Sequence, residues 1–245
     1  MADDRIFGIH PVREALLGGK KIEKVCLRQG LDSPVLRDVK DLCGQVGVPV
    51  QFVPQEKLTH LVKTDQHQGV VAILAQLDYV TLEEAVQKVL NNTESKPLVV
   101  LLDGVSDVRN FGAIARTCEC AGAGALFVPA KGGAAVNQDA IKTSAGALLR
   151  LPTCKVPNLR TAIYYLKQSG FSVVGASEKA ETPLYDFDFN QPVAVVMGSE
   201  GTGISPAVLA LCDALVAIPL LGTIGSLNVS AAAAVVLYEA VRQRR

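Results

Sequence analysis

Three segments hold the residues best suited to chemistry. One, at residues 101–121, carries Asn110 and Arg116. The next, VVMGSEGTGIS at residues 195–205, places Glu200 among Gly198, Gly201 and Gly203. The last, IPLLGTIGSLNVSAAAAVVLYEAV at residues 218–241, carries Ser226, Asn228 and Ser230. Amides and hydroxyls position a substrate by hydrogen bonds, a guanidinium holds developing negative charge, and a carboxylate orients its neighbours. Each residue also has a plainer role. Asn110, Ser226, Asn228 and Ser230 suit helix caps, and Arg116 suits a solvated surface. Arg116 points away from the helical face shared by Ile114, Cys118 and Ala121.

Other chemistries fit poorly. The 195–205 loop has no Gly-Lys-Ser/Thr to cradle phosphate, its spacing is not the dinucleotide fingerprint, and Glu200 would repel phosphate. That disfavours a nucleotide-binding enzyme of the doubly wound kind. All three histidines (His10, His60, His67) precede residue 68, far from any serine of these segments. Six cysteines form no CxxC pair, so no metal site is expected and reduced thiols are.

The elements that position these segments follow from apolar runs. Leu98–Leu102, Leu126–Val128, Val173–Ala176, Val193–Met197 and Leu215–Ile218 read as short buried strands. Gly112–Cys120, Asp139–Leu149, Leu159–Gln168, Pro206–Cys212 and Val229–Arg242 read as helices between them. Such alternation predicts a mostly parallel sheet covered on both faces, with ligands bound beyond the carboxyl ends of its strands. Ahead of it lies a smaller α/β unit. Its helices are expected at Pro11–Leu17 (stopped by Gly18-Gly19), from Ser33-Pro34 to about Gly44, and at Pro54–Leu61. Its strands are expected at Ile22–Leu27, Val48–Val53 and Val70–Leu74. The polar stretch 77–96, part helical and ending in Asn91-Asn92-Thr93-Glu94-Ser95, reads as a linker, giving domains at 1–76 and 97–245.

Composition bounds the rest. With 245 residues, 49% hydrophobic and 20% charged, disorder is excluded. Lysine plus arginine equals aspartate plus glutamate at 24 each, so the chain is no polycation; tryptophan is absent and aromatics are 5%, unlike a base-stacking platform. Charge is nonetheless uneven. From Arg109 to Arg160 there are seven basic residues against two acids, and from Thr161 to Val241 seven acids against two lysines. The former run is either a solvated surface or a phosphate-facing one. The charged start Met-Ala-Asp-Asp-Arg is unlike a signal peptide. The uncharged stretch Ala214–Tyr238, broken by Pro219, Gly222, Gly225, Ser226 and Asn228, reads as strand, loop and helix rather than a membrane span, so a cytoplasmic protein is expected.

Taken together, DVRNFGAIARTCECAG, VMGSEGTGIS and IPLLGTIGSLNVSAAAA closely resemble the three signature motifs of the SpoU (TrmH) branch of SPOUT RNA methyltransferases. IFGIHPVREALL and HQGVVAIL resemble the amino-terminal domain of bacterial 23S rRNA guanosine 2'-O-methyltransferases. The resemblance implies an α/β catalytic domain with a carboxyl-terminal trefoil knot, a rare exception to unknotted topology. It also implies an L30e-like amino-terminal domain that binds RNA, and a homodimer. S-adenosylmethionine would be the methyl donor, held near Gly198, Ile218, Leu220 and Leu227. Asn110, Arg116, Glu200, Ser226 and Asn228 would line the catalytic site, with no metal. Arg116 would hold the 2'-oxygen or a phosphate, Asn110 would position Arg116 or the ribose, Glu200 would orient Arg116, and Ser226 and Asn228 would hydrogen-bond substrate or fix the knot. The partner would be 23S rRNA or a ribosome assembly intermediate. Alternatives are a tRNA guanosine 2'-O-methyltransferase and a non-catalytic RNA-binding homologue.

Overall fold

The computed structural model describes residues 5–18, 20–30, 33–74, 79–93, 95–134 and 136–245. Gly19 of the expected helix stop, Leu77, Asp78 and Glu94 of the expected linker, and the first four residues lie outside these. The chain divides into two compact units, Met1–Asp78 and Tyr79–Arg245.

The first unit runs β1 (Arg5–Phe7), α1 (Ile9–Leu17), β2 (Ile22–Arg28), α2 (Pro34–Gln45), β3 (Val50–Val53), α3 (Gln55–Val62) and β4 (Val70–Leu74). Its sheet has the order β1-β4-β2-β3, with β2 and β3 parallel and β4 antiparallel to both neighbours. Alternate residues serve opposite faces. Val25, Leu27, Val70 and Ala72 pack with residues of α1 and α2, whereas Cys26 and Val71 pack with Leu58 of α3. α2 begins where the Ser33-Pro34 pair predicts, with Ser33 Oγ accepting from Leu36 N at 3.2 Å. His67 is a structural histidine: it is buried, its Nδ1 accepts from Gly69 N at 3.0 Å, and its Nε2 meets Thr59 Oγ1 at 3.2 Å.

The second unit runs α4 (Leu82–Leu90), β5 (Leu98–Asp103), α5 (Val108–Cys120), β6 (Ala125–Pro129), α6 (Gln138–Thr143), β7 (Thr153–Val156), α7 (Leu159–Gln168), β8 (Ser172–Ala176), β9 (Thr182–Pro183), β10 (Val193–Gly198), α8 (Pro206–Leu209), β11 (Ala214–Ala217) and α9 (Val229–Gln243). Its seven strands are all parallel, in the order β7-β6-β5-β10-β8-β11-β9. Val99, Leu101, Phe127, Ala194 and Val196 face a core shared with α4, α7 and α8. Their neighbours Leu98, Val100, Leu102, Leu126 and Val195 point the other way and are equally buried, beneath the layer where α5 packs on α6 and α9. The parallel, doubly covered sheet is the architecture its apolar runs predict.

Some expectations need correction. The 77–96 stretch is no linker where it is described. Thr81 and Glu84 form a reciprocal capping box (Thr81 N to Glu84 Oε2 2.9 Å, Glu84 N to Thr81 Oγ1 3.2 Å), and α4 buries Ala85, Val86 and Val89 in the second unit's core. The expected helix 139–149 breaks after Thr143, because Ala145 and Gly146 take positive φ (51° and 82°) before a single 3-10 turn at Ala147–Leu149. α8 is a single turn, shorter than the expected 206–212. β1, β7 and β9 have no counterpart in the apolar runs. No helix among the described residues is long and apolar enough to cross a membrane; residues 214–238 form β11, a loop and α9.

The lower edge of this sheet, where strands begin, is fastened by the chain's final residues. Arg244 donates to the carbonyls of Lys96 (2.8 Å), Pro97 (3.3 Å), Phe189 (2.9 Å) and Gln191 (2.9 Å). Gln243 accepts from Phe189 N at 2.8 Å and donates to Phe187 O at 2.9 Å. These carbonyls lie just before or beside the starts of β5 and β10, and hydrogen bonds to a charged donor contribute roughly 1.5–3 kcal/mol each when buried.

Candidate active site

Three loops leave the upper, carboxyl edge of the parallel sheet, after β5, β10 and β11. The one after β10 folds back on itself. Ser199 and Gly203 exchange both main-chain hydrogen bonds at 3.0 Å, and Ser199 Oγ meets Thr202 Oγ1 at 2.8 Å. Ser205 N then donates to Asp103 Oδ2 at 2.7 Å, tying this loop to the end of β5. Two of its glycines are dictated by shape. A Cβ on Gly198 would sit 2.2 Å from Gly203 C and 2.3 Å from Ile204 N, and Gly203 has φ +69°. Gly201 has neither constraint, nor do Gly222 and Gly225 of the third loop.

The loop after β5 enters α5 earlier than expected. Asp107, not Asn110, caps it: Asp107 Oδ1 accepts from Arg109 N at 2.9 Å and Asn110 N at 2.8 Å. Asn110 therefore sits inside the first turn with its side chain released for other partners. That partner is Asn228. Asn228 caps α9 with Oδ1, which accepts from Ser230 N (3.0 Å) and Ala231 N (3.4 Å). Its Nδ2 donates to Asn110 Oδ1 at 3.0 Å and also to Glu200 Oε1, which accepts from Val229 N at 3.4 Å as well. One asparagine thus both caps a helix and joins all three loops.

Beside this trio lies a cavity of about 380 Å³, lined among others by Gly198, Glu200, Ile218, Leu220, Ser226 and Leu227. A smaller hollow of about 300 Å³ adjoins it, lined by Gly104, Ser106, Asn110, Glu200 and Val229 among others. Of the nine residues singled out from the sequence, six line the cavity, and Asn110 and Asn228 are joined to Glu200 at its rim. Arg116 stands apart. It is exposed and lines neither space. The expectation that Asn110 and Glu200 hold it is corrected: their side chains meet Asn228, and Arg116 lies six residues, about 9 Å, farther along α5 than Asn110. Ser177, Glu178 and Lys179 line the cavity too and were missed. They directly follow β8, so the rule that ligands bind beyond strand ends pointed to them.

The third loop differs chemically from the second. Among the described residues, no main-chain N–H or C=O from Pro219 to Leu227 has a hydrogen bond. Such groups require a partner, whether water or ligand. Ile218, Leu220 and Leu227 supply apolar wall, while Ser177, Glu178 and Ser226 supply polar contacts. A cavity so made offers a ligand both an apolar wall and polar partners. Neither hollow is lined by a cysteine, and burial pushes the Cys154 thiol up to about 12 and raises that of Cys118 as well. Among the described residues no three His, Cys, Asp or Glu side chains stand together as a metal site.

Known proteins agree with this geometry. Residues 97–238 match the SpoU rRNA Methylase family, and residues 5–80 match the RNA 2'-O ribose methyltransferase substrate binding family. A putative TrmH family tRNA/rRNA methyltransferase of Staphylococcus haemolyticus is 35% identical over 100% of this chain and 97% of its own length. Among solved structures, the SpoU methyltransferase AviRb of Streptomyces viridochromogenes, in complex with the cofactor AdoMet, is 28% identical with a TM-score of 0.61, covering 98% of this chain and 89% of its own. The AdoMet-bound rRNA methyltransferase of Sinorhizobium meliloti is 25% identical with a TM-score of 0.60, covering 97% and 86%. S-adenosylmethionine is thus the methyl donor of SpoU homologues. By sequence, fold and the placement of its three loops, this chain belongs to the SpoU (TrmH) family of RNA methyltransferases.

Proposed function

We propose that this protein transfers a methyl group from S-adenosylmethionine to a ribose 2'-hydroxyl of RNA, with a guanosine in the peptidyl-transferase region of 23S rRNA as target. The observation that carries this reading is the Asn110–Asn228–Glu200 trio at the rim of the cavity. The likeness to an rRNA methyltransferase over 97% of this chain supports rRNA as the substrate class. In this reading the second unit, Tyr79–Arg245, carries catalysis and ends in a trefoil knot, and the first, Met1–Asp78, as an L30e-like domain, binds RNA. A homodimer accounts for Leu221 and Ile224, which stand largely exposed on the third loop.

Ile218, Leu220, Leu227 and Gly198 would hold the donor, aided by the free main-chain groups of residues 219–227. The donor supplies a methyl group activated by its sulfonium. The harder task is the hydroxyl, which attacks poorly until its proton leaves; a general base contributes roughly 10²–10⁴-fold. Glu200 fixes Asn228, and Asn110, Ser226 and Asn228 position the ribose. Arg116, exposed on α5 beyond Asn110, would hold the developing 2'-oxygen charge or a neighbouring phosphate of bound RNA through its guanidinium donors.

Mapping 2'-O-methyls on rRNA and tRNA in cells with and without this protein tests the reading. One missing guanosine methyl on 23S rRNA is the expected result. A missing methyl on tRNA selects the second reading, which the joint tRNA/rRNA name of the Staphylococcus haemolyticus relative equally admits. Donor binding with no product on any RNA reduces the protein to a non-catalytic homologue. Arg116→Ala is expected to lower methyl transfer by about 10²–10³-fold while donor affinity stays within a few-fold. Equal loss of both contradicts the role assigned to Arg116.

A further inference from the structure

We propose that a second hollow, at the carboxyl ends of β5, β6 and β7, is a subsite for an RNA phosphate, with Lys131 and Arg160 as its cations. This rests on the methyltransferase reading and extends it to the path of the RNA strand across the catalytic unit.

The hollow has a volume of about 260 Å³, and its polar lining comes from Asp103, Lys131, Asn158, Arg160 and Ser205. Lys131 and Arg160 are exposed, and neither has a hydrogen-bond or ion-pair partner among the described residues. The single carboxylate, Asp103, is already engaged by Ser205 N at 2.7 Å. The first turn of α7 forms part of the wall. Its cap is complete, with Asn158 Oδ1 accepting from Thr161 N at 3.0 Å, and a helix amino terminus adds positive potential. Two free cations and a helix end against one occupied carboxylate favour an anion.

The comparison with a neighbouring hollow is informative. Arg109 and Lys142 line that one together with Asp107 and Asp139, so its charges cancel. Within the basic run from Arg109 to Arg160, Arg109 and Lys142 thus share a hollow with two acids, whereas Lys131 and Arg160 share theirs with one occupied carboxylate. The placement also suits a strand passing the site. The subsite shares Gly104 with the hollow that holds Asn110 and Glu200. β6 lies two strands from β10, about 10 Å at ordinary sheet spacing. A ribose held at the trio thus has a flanking phosphate within reach of the subsite. Because the chain is neutral overall, attraction to RNA must come from such local sites.

The test compares the full-length double variant K131A/R160A with the charge-matched K142A/R150A. The probe is a labelled transcript of the peptidyl-transferase region of 23S rRNA, titrated at several salt concentrations. The subsite variant is expected to bind roughly tenfold more weakly at low salt, with its log-log salt slope shallower by about one. Donor affinity by calorimetry and the melting temperature stay at wild-type values, and K131R/R160K retains RNA affinity. Equal weakening by both alanine pairs means diffuse charge and overturns the subsite, as does no weakening by K131A/R160A. If that variant matches a methylating wild type, only the subsite falls. If the wild type neither binds nor methylates any RNA, the functional reading falls with it.

Discussion

The two loops that wall the cavity are built on opposite principles. The loop after β10 is closed on itself: Ser199 and Gly203 satisfy one another, Ser205 is tied to Asp103, and Gly198 leaves no room for a side chain. Among the described residues, the loop after β11 makes no main-chain hydrogen bond between Pro219 and Leu227, and it exposes Leu221 and Ile224. One wall is therefore tied by its own hydrogen bonds, and the other keeps its main-chain groups available to a partner. A tied wall keeps the groups it carries in register, while an unpaired one offers donors and acceptors to whatever enters the cavity.

The sharpest way to break this contrast is to put a side chain into each loop. Gly198→Val must push the main chain of Gly203 and Ile204 aside, and methyl transfer should fall by about 10²-fold or more, as for a comparable misplacement of reacting groups. Gly225→Ala, whose Cβ meets open space, should change stability by no more than about 0.5 kcal/mol and leave donor affinity near wild type. Similar losses from both would show that the walls do not differ.

Hydrogen exchange sharpens the same contrast with a smaller signal. Without donor, the amides of Ser199, Gly203 and Ser205 should exchange slowly and those of Leu220 to Leu227 near open-chain rates. Adding S-adenosylmethionine should slow the second set and leave the first unchanged. Slow exchange of both sets before donor is added would make the second wall preformed too.

The smallest expected effect concerns what carries the open loop. Asp213, at the entry to β11, accepts from Val173 N at 2.8 Å and pairs with Lys167 Nζ at 2.7 Å. Burial pushes its carboxyl up, but the Lys167 ammonium and the Val173 N–H outweigh this and hold it below the usual range. A lowered folded-state pKa adds stability above the unfolded value of about 3.9 and loses it as pH falls through the folded value. Asp213→Asn should therefore flatten the acid limb of the stability profile below about pH 4. For a half-exposed pair the change is under about 1 kcal/mol. An unchanged acid limb, measured by denaturant titration across that range, would remove Asp213 as the anchor.

Most of the sheet was legible because buried parallel strands are continuous apolar runs, as at Leu98–Leu102 and Val193–Met197. β7 was not, because Thr153 and Lys155 interrupt the run, and β9 has only two residues to read. The site was legible as three loops but not as a wiring plan. Asp107 and Asn110 are both good cap residues, and only the folded structure decides that Asp107 takes the cap and releases Asn110. Glycine content overstated its importance in the same way: Gly198 and Gly203 are demanded by contact and backbone angle, while Gly201, Gly222 and Gly225 are not. α4 was hidden by its polar face. Leu82, Ala85, Val86 and Val89 lie at helical spacing within a charged stretch, and composition outweighed periodicity there.

α9 gives the catalytic unit a strut. Its upper end is Asn228 in the rim trio, and its lower end is Arg244 on the carbonyls beside the starts of β5 and β10. Fifteen residues of helix span about 22 Å, so the helix runs the height of the sheet and sets the rim's position from below. Slackening the base, for instance by trimming the last two residues, would loosen the grip on the methyl donor without touching any atom that meets it.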